Sequence, residues 1–210
     1  MKKFLLGSVV VTTLLIAAQA NAGFLVEPYL GYRAGTLDIV VKNSGASNGE
    51  YEYTINGSGY GLRAGYGALG FMAGIDYGLG SITEKFSSGP SITLGDDEYD
   101  TTQIGAFLGY NLPIMFRVWA SYYFTAELEI PKNNSVTGSD KGDLLAGSGL
   151  GIGVGFTGLP IISINLEYKS FTYDEFTDGI TGVVTTYPSN TIDEITSSEI
   201  LLSISAPFDF

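Results

Sequence analysis

Eight charged residues stand where the alternation of a β-strand would turn them all the same way: Glu27, Arg33, Arg63, Asp76, Arg117, Glu167, Lys169 and Glu199. Four are acids and four are bases, so the set is neutral. Two chemistries suit it. Packed together out of water, carboxylates and guanidinium or ammonium groups are tolerated when they pair and hydrogen-bond, which gives a salt-bridged plug. Lining a narrow wet passage, the same groups make a charged filter for ions. Catalysis fits poorly. The chain has no His and no Cys. That removes a Ser-His-Asp triad, imidazole or thiolate metal ligation, and any disulfide. No enzyme activity and no cofactor are expected.

Two weaker motifs remain. Asp96, Asp97, Glu98 and Asp100 offer hard oxygen ligands of the kind Ca²⁺ takes, but without EF-hand spacing. A run of loop acids is more often a solvated surface. Gly147 to Gly155 alternates glycine with other residues and is followed by no Lys, so it reads as a strand and not as a phosphate-binding loop.

The elements that must position the eight charges are strands. Side chains alternate across a strand with period two. Read that way, the chain gives eight, at roughly 24–36, 58–68, 70–82, 99–111, 114–126, 144–157, 161–174 and 195–210. Each is about the 9–11 residues, or somewhat more, that cross a bilayer when tilted. The face opposite the charges is apolar. It carries Val26, Pro28, Leu30 and Tyr32, then Phe116, Val118, Ala120, Tyr122 and Phe124, then Ile162, Ile164, Leu166 and Tyr168, with matching sets on the other strands. Aromatics recur at the ends of these sets, as membrane-interface girdles require. A soluble barrel would reverse the two faces. The inward face alternates the charges with glycines that leave room for Tyr29, Phe107, Trp119 and Tyr123. An all-β, eight-stranded antiparallel up-and-down transmembrane β-barrel is expected, with an interior that side chains can just fill.

The connections alternate in length. Tight turns are expected near Leu69, Pro113 and Gly158-Leu159-Pro160, and long polar loops at 37–57, 83–98, 127–143 and 175–194. The loops and their strand shoulders hold seventeen acids, among them Glu84, against four lysines, while the tight turns carry no charge. Long loops outside and short turns inside is the asymmetry of outer-membrane barrels. An acidic rim also argues against nucleic acid as a partner, since phosphate recognition needs a basic patch.

At the N-terminus, Lys2 and Lys3 precede an apolar run from Phe4 to Ala18, and Ala20-Asn21-Ala22 is a small-x-small cleavage pattern. Residues 1–22 are therefore expected to be a cleaved signal peptide and 23–210 one barrel domain. Together with the opening Glu27-Pro28-Tyr29-Leu30-Gly31-Tyr32-Arg33 and the closing Phe208-Asp209-Phe210, this resembles the small outer-membrane β-barrels of the outer-membrane protein A and X type. The resemblance implies the outer membrane of a Gram-negative bacterium, with extracellular loops. It implies that Phe208 and Phe210 form the signal read by the barrel-assembly machinery, although Pro207 falls within that signal. Outer-membrane lipid and lipopolysaccharide are the other partners expected, and a monomer is the expected state. Members of the family are structural, adhesive or weakly conducting. The sequence therefore leaves three roles open: a structural barrel with a closed lumen, an adhesin or binding protein working through its loops, or a narrow channel for ions or small solutes.

Overall fold

The computed structural model describes residues 22–42, 49–89, 97–131 and 142–210. The signal segment falls almost wholly outside them, and Asp96 lies outside them too. Eight long strands make the wall: β1 (Gly23–Val41), β2 (Gly49–Ala68), β3 (Phe71–Ser88), β4 (Asp97–Leu112), β5 (Phe116–Glu129), β6 (Leu144–Phe156), β7 (Ser163–Thr177) and β9 (Ile192–Ser205). Two short strands accompany them, β8 (Val184–Thr186) and β10 (Phe208–Asp209). Each long strand pairs antiparallel with its chain neighbours, and β9 pairs with both β7 and β1, which closes the barrel.

The pairing register sets the shape. A path of directly opposed residues runs from Tyr29 through Gly61, Gly78, Gln103, Ala126, Gly147, Tyr173 and Ile195. It returns to β1 at Ile39, ten residues above its start. Ten residues at ~3.3 Å, set against eight strands ~4.8 Å apart, tilt the strands by ~40° and give a wall radius of ~8 Å. Such a cylinder is filled by side chains.

Side chains alternate as the expected period requires. The residues of the apolar sets are exposed or part-exposed on the outer face, with Leu30, Leu108, Leu150 and Ile152 among the most exposed. Tyr29, Phe107, Trp119 and Tyr123 are buried inside.

The strands run further than expected at the long-loop end. Much of 37–57, expected as loop, is strand in β1 and β2, and β3 continues to Ser88. The cause is a second inward face. Leu37, Tyr53, Ile55, Ile82, Tyr123, Ala126, Leu128, Phe171, Tyr173 and Ile195 form one buried apolar layer above the charges. Polar residues such as Asp38, Glu52 and Thr54 alternate with it on the outside. The shoulders look polar in sequence because the amphipathic sense inverts above the outer apolar belt. Glu84, expected on the rim, is instead buried at 6% exposure on the inward face of β3, next in alternation to Ile82.

A bulge in β5 belongs to the same layer. Opposite β6, the register shifts between Tyr123 and Ala126. Without that extra residue, Glu127 and Glu129 would turn inward; with it, Ala126 and Leu128 do.

The tight turns are compact. Leu69 and Gly70 join β2 to β3 with φ of 56° and 82°. That is the two-residue turn whose twist matches a hairpin, usually built from Asn-Gly. Leu at a left-handed position costs about 1–2 kcal/mol. Met115, φ 63°, occupies the same region in the turn between β4 and β5.

Candidate functional site: the barrel interior

All eight sequence-flagged charges face the interior, none more than 5% exposed. Their strands alternate in register, so partners come from across the lumen as well as from adjacent strands. At the centre, Arg63 on β2 donates from Nε to Asp76 on β3 (3.3 Å) and from Nη2 to Glu167 on β7. Its guanidinium lies between two aromatic faces, 4.8 Å from the Tyr29 centroid and 4.5 Å from that of Trp119. Stacking of this kind adds to the ion pair. Asp76 and the Oε1 of Glu167 accept further bonds. Tyr29 and Tyr123 hydroxyls donate to Asp76 at 3.0 and 3.1 Å, and the Trp119 indole N–H donates to Glu167 at 2.5 Å.

From Glu167 the chain of contacts climbs toward the long-loop end. Lys169 Nζ lies 3.6 Å from Glu167 Oε2, donates to Gln103 Oε1 at 2.9 Å, and sits over the Tyr123 ring. Gln103 Nε2 donates to Glu199 at 3.1 Å, and Glu199 lies 3.6 Å from Arg33 Nη1. Arg33 also donates to the Thr101 hydroxyl. Toward the short turns, Arg117 Nη1 donates to Glu27 at 2.5 Å and its Nε donates to Asn111. Ser205 closes the remaining Glu27 oxygen.

Each of the eight charges therefore has an opposite partner within 4 Å. The residue that the charge pattern does not reveal is Gln103. Its amide is both acceptor and donor, so it links Lys169 to Glu199 where a carboxylate would satisfy only the cation. Asn165, Thr101 and the serines of β9 play a similar minor part. Their signal in sequence was only that polar residues fall on the inward phase.

Glycine makes the packing possible at one point in particular. A Cβ on Gly153 would fall inside the Trp119 indole, which occupies that space in order to reach Glu167.

The other flagged residues lie elsewhere. Phe208 and Phe210 are exposed at the short-turn end. Phe208 pairs with Val26 in the same register as Ser205 with Tyr29, so Pro207 interrupts the strand without shifting it. Phe210 and Phe24 exchange two backbone hydrogen bonds of 3.0 Å. Asp97 and Glu98 belong with Asp100 to β4 and not to a loop, and Glu98 accepts from Ser81. Among the described residues, no group of three or more His, Cys, Asp or Glu converges as a metal site. At the long-loop end, the Asp178 carboxylate accepts from the backbone N–H of Thr181 and Ile180, which holds it below the usual carboxylate range.

A closed antiparallel barrel of eight strands, apolar outside and polar within, is the fold of the small outer-membrane β-barrels. The solved structure of outer membrane protein AlkL in lipid bilayers is similar, with TM-score 0.55 and 14% identity over 90% of this chain and 92% of that one. OprG from Pseudomonas aeruginosa (TM-score 0.48, 11% identity, 92% and 99% covered) and Neisserial surface protein A (0.46, 14%, 90% and 100%) also match. No family model and no curated protein matches the chain.

Proposed function

We propose that this chain is a structural outer-membrane β-barrel of a Gram-negative cell, closed to solutes, that presents its long-loop end, with acids on the strand shoulders and in the loops, on the cell surface. The observation that carries the reading is the filled interior. A paired charge network occupies the middle of the lumen, and an apolar layer from Leu37 to Ile195 lies above it. Through-passage of a hydrated ion would have to break several buried pairs, each strongly unfavourable to disrupt, and then cross a dry layer. The low charge content, the continuous outer apolar belt and the expected signal peptide support the membrane location. Loop asymmetry supports the orientation.

A binding role for the loops is the second reading. It is favoured by the ordered hairpin of β7 and β8, which holds Ile180, Val183 and Val184 exposed at the tip. The chain lacks Cys, so a single Thr185→Cys is a clean probe. On intact cells it should react with a membrane-impermeant maleimide, and the protein should fractionate with the outer membrane. Labelling only after the cells are opened would overturn the orientation.

A further inference from the structure

The short-turn rim is more apolar than a rim standing in water needs to be. Leu69, Ile114, Met115, Leu159 and Ile161 are between 39% and 71% exposed. The three turns, 69–70, 113–115 and 157–162, contain no charged residue. We propose that this rim is sunk into the interfacial layer of the bilayer, so that phospholipid, and not water, covers the turns. The proposal rests on the membrane-barrel reading and extends it.

Three further observations carry it. The first is height. On β5 the outward apolar residues run from Phe116 to Phe124, and on β3 from Phe71 to Leu79, a rise of eight residue steps in each case. At ~3.3 Å per residue and ~40° tilt this spans ~20 Å. The apolar band of such barrels is about 25 Å tall. On β3 and β5, which the turns 69–70 and 113–115 enter, the turn residues continue the belt at its lower edge and bring it toward that height.

The second is backbone preference. Leu69 and Met115 sit at left-handed φ, where Asn or Gly is easier to accommodate. A turn in water has no reason to keep a large apolar side chain at such a position. A turn in lipid does.

The third is backbone satisfaction. The Gly70 carbonyl accepts from Asn111 N–H at 2.7 Å, and the Met115 carbonyl accepts from Thr157 N–H at 2.8 Å. The turns are stitched to the neighbouring strand, which lowers the cost of removing them from water.

The test uses nitroxide labels on Ile114→Cys, Leu159→Cys and Ile161→Cys in folded protein reconstituted into phospholipid vesicles. Leu108→Cys and Ile152→Cys report the belt, and Thr185→Cys reports the long-loop end. Relaxation by oxygen, which concentrates in lipid, is compared with relaxation by a water-soluble nickel chelate. The turn labels should fall between the belt and Thr185→Cys, with nickel accessibility several-fold below that of Thr185→Cys. Turn labels as nickel-accessible as Thr185→Cys beside a protected belt would overturn the submerged rim and leave a protein partner or plain solvent as its cover. A nickel-accessible belt would overturn the membrane reading itself, and the rim with it.

Discussion

Arg63 touches more of the interior than any other charge: two acids and two aromatic faces. Its removal leaves Asp76 and Glu167 buried, with Lys169 the remaining cation beside Glu167. Arg63→Ala is therefore expected to destabilise the barrel by about 3–5 kcal/mol, read as a shift in the urea midpoint of reversible folding in vesicles. An unchanged midpoint would mean that the network contributes nothing. A second change tests the geometry without altering charge. Trp119 is the only tryptophan, and Gly153→Ala must displace it from Glu167. Its emission should shift, and thermal stability should fall. A wild-type spectrum would contradict the packing. At this scale the sequence was half legible. The inward phase of each charge follows from period two, so all eight could be named. Their partners could not, because Arg63 meets Glu167 across 104 positions and only the register brings them together. Glu84 was misread for a related reason: an acid in a polar stretch looks like rim until its neighbour Ile82 is seen to point inward.

At the scale of the element, most of the long strands, β1, β2 and β7 among them, are two amphipathic segments joined end to end. The lower part is apolar outside and polar inside; the upper part is the reverse. The lower part was readable, since its outer sets are uninterrupted. The upper part was not, because inverted alternation with acids and glycines resembles a loop, and because the bulge in β5 changes phase between Tyr123 and Ala126. The lower register is testable. Leu108→Arg or Val118→Arg places a charge in the outer belt and should cost about 2–4 kcal/mol if near the midplane. No loss in a folding titration would refute the assigned faces. The long-loop end should tolerate charge far better: Thr185→Arg, exposed on β8, is expected to be neutral in the same titration.

At the scale of the molecule, the pairing of β9 with β1 makes the barrel, and the final residues complete that seam through Phe208 and Phe210. Removing Phe210 or changing it to Ser is expected to lower the amount of heat-modifiable, folded protein in outer-membrane fractions. An unchanged yield would mean that assembly is not directed by this segment. Barrel closure and strand number were legible from the even spacing of turns and loops, whereas the stagger of ten residues is a property of pairing that no single strand encodes. The finished barrel is proposed to be sealed by a neutral network of paired charges and by the apolar layer above it. Planar-bilayer recording from the purified, unmodified protein tests it most directly. A sealed lumen predicts a silent membrane at every applied voltage; stable, ion-selective single-channel currents would contradict it.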